Sequence, residues 1–402
     1  MRFPPGFVWG TATSSHQVEG GNDNNDWWDW EQGEERIRDG TRSGEACGWW
    51  AGRAEDDLAE AARRGQTAHR LSLEWSRLEP REGKWNDEAF ARYTRLLDAM
   101  RELGLAAMVT LNHFTLPRWV ARRGSWLDPS LSRLFARYAS ECARRFDDRV
   151  KWWATLNEPS VLAFMGYAGR RWPPGRGSMP AAFRALRHMA RAHRGAHRAI
   201  HRVLAPASVG VVMNWPRFEA SRSSLLDRAV TRAQDALFGA LPLRAFQPFD
   251  WLGLNYYGRY RVRFDARAPE MLFGRHVQAS SIRTDETDWG EIAPEGLEEQ
   301  LVRLAHLGVP LYVTENGVSD EDDRIRPDYL VGHVAAVHRA IERGADVRGY
   351  FHWSLIDNFE WAEGWSVRFG LIAVNPHTQE RRVRSKSAGI YQQICMQDSV
   401  AK

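Results

Sequence analysis

Val150-Lys151-Trp152-Trp153-Ala154-Thr155-Leu156-Asn157 is a short run of β-branched and aromatic residues, apolar at most positions, and it runs straight into Glu158-Pro159. A strand that is apolar on both faces is a buried strand of a parallel sheet, because crossover helices cover both of its sides. Seven further runs share the pattern, at residues 7–13, 67–75, 106–114, 208–214, 250–257, 311–315 and 347–354. Amphipathic stretches lie between them at 49–64, 87–102, 130–146, 181–204, 225–240, 294–306 and 327–343, each spaced like a crossover helix.

Strand and helix alternating along the whole chain predict an α/β protein, a closed (β/α)8 TIM barrel with its active site at the C-terminal ends of the strands. Such barrels run from about 200 to over 400 residues as one domain. The 402 residues here contain no Ser- or Gly-rich linker, no break in composition and no internal repeat, so residues 1–402 are expected to form a single barrel domain. A doubly wound dinucleotide fold would need a G-x-G-x-x-G turn after the first strand. That strand runs instead into Thr13-Ser14-Ser15-His16-Gln17.

Composition excludes several classes of function. No stretch approaches the roughly 20 apolar residues of a membrane span, and the N-terminus has no apolar signal region, so a soluble, cytoplasmic protein is expected. Cys47, Cys142 and Cys395 form no C-x-x-C pair and read as buried free thiols. Only four of the 55 Lys and Arg residues are lysines, yet the arginines are scattered among Asp and Glu, unlike a nucleic-acid-binding patch. The densest run, 188–202, reads as one basic helix face. Nineteen tryptophans exceed what a core needs, and several adjoin carboxylates, as in Trp27-Trp28-Asp29-Trp30 and Glu360-Trp361. Aromatic faces beside hydrogen-bonding groups suit a sugar.

In a barrel the informative residues are polar ones at strand ends. They are Gln17 after the first strand, Arg70 within the second, His113 at the third, Asn157-Glu158 at the fourth, Asn255 and Tyr257 at the sixth, Glu315-Asn316 at the seventh and Trp353 at the eighth. Strands four and seven face each other across a barrel, which sets Glu158 opposite Glu315. Glycoside hydrolysis needs such a pair, one carboxyl to protonate the leaving oxygen and one to attack or stabilise the oxocarbenium-like centre.

The motifs around these residues resemble glycoside hydrolase family 1, the β-glucosidase family. Thr155-Leu156-Asn157-Glu158-Pro159 is similar to its acid/base signature and Val313-Thr314-Glu315-Asn316-Gly317 to its nucleophile signature. The likeness extends through Phe7-Val8-Trp9-Gly10-Thr11-Ala12-Thr13 with Gln17 and Glu19-Gly20, Arg70-Leu71-Ser72-Leu73-Glu74-Trp75-Ser76-Arg77 and Gly253-Leu254-Asn255-Tyr256-Tyr257. It closes with Trp353-Ser354-Leu355-Ile356-Asp357-Asn358-Phe359-Glu360-Trp361 and Arg368-Phe369-Gly370-Leu371.

The resemblance implies a retaining β-glycosidase acting on terminal β-D-glucosides, with β-D-galactosides and β-D-fucosides as co-substrates. Glu158 would be the acid/base and Glu315 the nucleophile. Arg70, Asn157, Asn255 and Tyr257 would support catalysis, with Arg70 and Tyr257 flanking Glu315. Gln17, His113, Glu360 and Trp361 would bind hydroxyls over a Trp353 floor. Retention requires carboxyl groups about 5–5.5 Å apart, against about 6.5–9.5 Å for inversion.

Two stretches depart from the family pattern. The third-strand histidine is followed by Phe114-Thr115 in place of Trp-Asp, and Trp289-Gly290-Glu291 inverts the usual Gly-Trp-Glu. Glu360 is expected to repel a sugar 6-phosphate, and Glu158 stands where thioglucosidases carry glutamine. Neither a cofactor nor a metal is implied, since no strand offers His-x-His and His113 and His352 lie on different strands. The expected partner is a small β-glycoside or short oligosaccharide. A transglycosylating enzyme and a non-catalytic carbohydrate-binding barrel are the alternatives.

Overall fold

All eight runs become strands in the computed structural model, which describes residues 1–278 and 289–401. They are β1 (Val8–Ala12), β2 (Ala68–Ser72), β3 (Ala106–Asn112), β4 (Val150–Asn157), β5 (Val209–Asn214), β6 (Trp251–Asn255), β7 (Leu311–Asn316) and β8 (Val347–Trp353). Each pairs in parallel with the next, and β8 pairs with β1 to close the barrel.

The two-residue period of a strand decides which side chains enter the barrel. Ala12, Ala68, Met108, Trp152, Ala154, Val212, Trp251, Tyr312, Phe351 and Trp353 pack together as the inner core. The intervening residues, among them Trp9, Leu71, Val109, Trp153, Val211, Leu254, Val313 and Tyr350, join the larger core beneath the helices. Gly210 is one price of this filling: a Cβ there would stand 2.4 Å from the Trp251 indole. By the same parity Arg70, two residues beyond Ala68, and Asn255, four beyond Trp251, turn inward at the C-terminal end.

Several boundaries differ from expectation, each for a local reason. The run 67–75 ends as a strand at Ser72, because the Glu74 side chain accepts from the Ser76 N–H and starts a short helix, Trp75–Leu78. The run 106–114 stops at Asn112, and Phe114 turns the chain at φ 75°. The stretch 49–64 opens with a wide turn, Trp49–Arg53, before the α-helix Ala54–Arg63. The stretch 225–240 breaks at Gly239 into Leu225–Phe238 and Ala240–Phe246. Helix Ser385–Gln397, not expected from the sequence, supplies the cover after β8, and its Tyr391 hydroxyl donates to the Gly10 carbonyl at 2.5 Å.

The basic run 188–202 is not one solvated face. It lies in helix Met179–Val203, where His188 and His193 are buried against the barrel. A three-stranded sheet that the sequence did not suggest, Arg217–Ala220, Arg259–Phe264 and Gly274–Val277, flanks the barrel. It is tied by Arg259 and Arg261, both of which bond Glu219 and Glu291. All three cysteines are buried free thiols. Among the described residues, no helix is long and apolar enough to cross a membrane.

Candidate active site

Arg70, His113, Asn157, Glu158, Asn255, Tyr257 and Glu315 converge on one hydrogen-bonded network. Arg70 is 1% exposed and reaches across the barrel interior. Its Nη1 donates to Glu315 Oε1 at 2.6 Å, its Nη2 to Asn157 Oδ1 at 2.7 Å and its Nε to the Thr110 hydroxyl at 3.1 Å. The Tyr257 hydroxyl donates to the other oxygen of Glu315, also at 2.6 Å. Glu315 thus accepts at both oxygens, as a carboxylate does, and these charge-assisted bonds are the strong class. Burial and the charge of Glu315 together push the Tyr257 phenol well above its ordinary range, so it remains a donor.

Glu158 follows β4 in the left-handed region, φ 45° and ψ 56°, immediately before Pro159 at the start of a short helix. Proline disfavours the right-handed helical region for its predecessor. Phe114 beside His113 and Trp361 beside Glu360 also have positive φ, at 75° and 51°. Strain of order 1–3 kcal/mol per such residue persists where the surroundings over-determine the conformation, characteristically at functional sites. Asn214 and Asn255 are paired in register on β5 and β6, and both side-chain amides donate to Glu158 Oε1, at 2.9 and 2.8 Å. Oε2 is therefore the oxygen left to carry a proton. Burial first, and then the charge of Glu315, lift Glu158 from the ordinary carboxyl range to about 7.

The network also assigns the His113 tautomer. Asn157 Oδ1 accepts from Arg70 and Asn255, so its amide nitrogen faces His113 Nε2 at 3.2 Å and donates to it. The proton then sits on Nδ1, which has no partner among the described residues. Burial and the Arg70 charge hold this ring neutral, well below the usual imidazole range. Its plane runs nearly parallel to Trp353 and to Trp361, at centroid distances of 6.0 Å in each case.

Gln17 and Glu360 form the third corner. Gln17 Nε2 and Asn358 Nδ2 each donate to Glu360 Oε2 at 2.9 Å. Burial raises Glu360 to about 8, opposed by the Asn358 bond and assisted by the charge of Glu315. Trp361 is packed by Trp27, Phe114 and Trp172 and stacked on His16, so its indole plane is fixed. Trp289 stands apart from this network, edge-on to Phe369 at 5.3 Å.

The predicted site residues are thus brought together at the barrel mouth, all buried except the half-buried Tyr257, through the bonds around Arg70, those around Glu360 and the ring contacts of His113 with Trp353 and Trp361. Asn214, Asn358, Thr110 and Thr314 join the site without having been expected from the sequence. Asn214 carried a usable signal, since it is the last residue of the fifth predicted strand and the rule applied to the other ends covers it equally. Thr314 turns its hydroxyl to Asn255 Oδ1 at 2.7 Å, which aims that amide nitrogen at Glu158. Gly317 lets β7 and β8 meet here: a Cβ would fall 1.9 Å from the Trp353 carbonyl oxygen.

Known proteins are similar to this chain in sequence and in fold. The bifunctional β-D-glucosidase/β-D-fucosidase of Bifidobacterium breve is 36% identical, with 95% of this chain and 95% of that protein covered. The solved β-glycosidase from Pyrococcus horikoshii superposes with a TM-score of 0.91 at 37% identity, covering 100% of this chain and 96% of that one. The family 1 β-glucosidase from Thermotoga maritima superposes with a TM-score of 0.93 at 30% identity, covering 100% of both chains. The family model for glycosyl hydrolase family 1 matches residues 1–241 and 242–400. With that model matched along nearly its whole length, the chain belongs to glycosyl hydrolase family 1.

Proposed function

We propose that this protein is a retaining β-glycosidase that hydrolyses terminal non-reducing β-D-glucosides, with β-D-galactosides and β-D-fucosides as further substrates, and that residues 1–402 act as one catalytic domain. The observation that carries the proposal is the division of labour between two buried carboxyl groups. Glu315 accepts hydrogen bonds at both oxygens from Arg70 and Tyr257, while Glu158 is lifted to about 7.

Protonated Glu158 gives its proton to the glycosidic oxygen as Glu315 attacks the anomeric carbon, forming a covalent glycosyl-enzyme and releasing the aglycone. Forming that ester removes the charge of Glu315, one of the causes that raise Glu158. The Glu158 pKa falls, and its carboxylate then takes a proton from the water that releases the sugar. Two inversions at the same carbon give net retention. Gln17, His113, Glu360 and Trp361 hold the sugar hydroxyls over the Trp353 face, and Asn157 holds the 2-hydroxyl.

A Thermotoga maritima relative was solved in complex with deoxynojirimycin, a sugar mimic, which supports a small-sugar ligand for this fold. Glu360 at about 8 is largely neutral in the free site at pH 7, so simple charge repulsion of a 6-phosphate is weaker than the residue type alone suggests. The proposal is tested with p-nitrophenyl β-D-glucoside, galactoside and fucoside while the released anomer is followed by NMR. Initial release of the β-anomer supports it. Initial α-anomer refutes retention, and sugar binding without cleavage points to a carbohydrate-binding barrel.

A further inference from the structure

Helix Met179–Val203 carries His193, His197 and His201 at four-residue spacing, which places all three rings along one face. Its last two turns, with His197 and His201, meet the N-terminal end of the barrel strands, opposite the active site. Asp250 directly precedes β6, and its Oδ2 accepts from the backbone N–H of Val209, the first residue of β5, at 2.7 Å. The same oxygen lies 2.8 Å from His201 Nε2, and Oδ1 lies 3.3 Å from His197 Nε2. His193 is committed elsewhere, with one ring nitrogen on the Thr155 hydroxyl and the other on the Pro248 carbonyl.

The geometry points to a divalent transition-metal site formed by Nε2 of His197, Nε2 of His201 and a carboxylate oxygen of Asp250. The three ligand atoms lie within 4.8 Å of one another. A tetrahedral zinc ion with bonds of about 2.0–2.2 Å sets its ligands roughly 3.3 Å apart, so small ring rotations suffice. The three side chains are 13%, 34% and 35% exposed, which leaves the ion a path from solvent and room for water as a fourth ligand. Two imidazoles and one carboxylate suit Zn²⁺, Ni²⁺ or Cu²⁺, whereas Mg²⁺ and Ca²⁺ favour all-oxygen sets.

The surroundings contribute in both directions. The site lies in the last two turns of the helix, where the partial negative charge of its C-terminus favours a cation. Arg198 opposes it, and the Asp250 carboxylate offsets that charge. Because Asp250 also anchors the start of β5, a bound ion ties the helix end to the barrel floor. Residues at that end of such a barrel serve stability and not chemistry. Binding therefore raises thermal stability and leaves glycoside cleavage unchanged, whatever the substrate of the active site.

The test uses the untagged full chain, stripped with a chelator and desalted, and titrated with Co²⁺ while the visible spectrum is recorded. Expected are visible d–d bands that saturate at one Co²⁺ per chain, displacement of those bands by Zn²⁺, and a rise in unfolding temperature with Zn²⁺. His197→Gln and His201→Gln keep a side chain able to donate to Asp250; each weakens Co²⁺ binding at least tenfold and removes the Zn²⁺-dependent temperature shift. No saturable Co²⁺ spectrum up to millimolar concentration overturns the site. So does a spectrum that survives both substitutions.

Discussion

Asn214 and Asn255 donate to the same oxygen of Glu158 from adjoining strands, at 2.9 and 2.8 Å. Both bonds favour the carboxylate and so oppose the burial that raises this group. Asn214→Ala removes one of them, and the Glu158 pKa rises further. The alkaline limb of kcat/KM against pH therefore moves to higher pH. A limb that stays in place or moves down refutes the assigned direction of that hydrogen bond.

The limb itself follows from Glu158. The first step needs its proton, which is bound below about 7 and lost above, so kcat/KM falls as pH rises through about 7. Glu158→Gln abolishes that limb and lowers kcat/KM for alkyl glucosides by about 10²–10⁴-fold, the usual worth of a general acid. Dinitrophenyl glucosides, whose leaving group needs no proton, lose much less in the glycosylation step. Equal losses on both substrates would remove Glu158 from the acid role.

Around Glu315, Tyr257→Phe deletes one donor to a carboxylate. Hydrogen bonds to charged groups are worth about 1.5–3 kcal/mol, so kcat/KM is expected to fall on the order of 10- to 100-fold with the fold intact. Arg70→Met is more severe, since it leaves Glu315 and Asn157 without their shared donor in a buried site. Losing one partner of a buried pair costs about 3–5 kcal/mol. Thermal unfolding and kinetics measured together separate the two variants: only Arg70→Met lowers both.

Glu360→Ala takes from the Gln17 and Asn358 amides one of their two acceptors, leaving each only the Phe359 carbonyl, and removes a contact for sugar hydroxyls. An unsatisfied buried polar group costs about 1–3 kcal/mol, and the loss is expected mainly in KM for p-nitrophenyl glucoside. An unchanged KM would take Glu360 out of substrate binding.

Two glycines provide a contrast in packing. Gly317→Ala forces a Cβ to 1.9 Å from the Trp353 carbonyl oxygen, a backbone atom that cannot swing away. Overpacking of this kind costs about 1–3 kcal/mol, and because Glu315 is two residues away, unfolding temperature and kcat should fall together. Gly389, half-buried in helix Ser385–Gln397, has nothing within 4 Å of its Cβ position. Gly389→Ala is expected to stabilise by roughly 0.5–1 kcal/mol without altering activity.

The barrel and its site were legible in the sequence to different depths. Runs such as Val150–Asn157, apolar on both faces, announce buried parallel strands, and Glu158 and Glu315 stand at the ends of strands four and seven. That much is local: a periodicity and a residue type at a boundary. Where one turn competes with another the sequence was less decisive, as at Ser72, where the Glu74 cap ends the strand early. Helix Ser385–Gln397 escaped notice because it is secured by contacts such as Tyr391 with Gly10, 381 residues apart in the chain.

The sequence by itself determined the alternation of strands and helices, the two carboxyl residues and the donors placed near strand ends. Only the tertiary structure decided that Asn214 and Asn255 share one oxygen of Glu158, that Arg70 spans from Asn157 to Glu315, and that His197 and His201 meet Asp250. Those relations depend on the register between strands and on barrel closure, which join residues distant in the chain. The protonation of Glu158 depends on them too, since burial and a neighbouring charge arise only when β4 and β7 are brought to the same mouth.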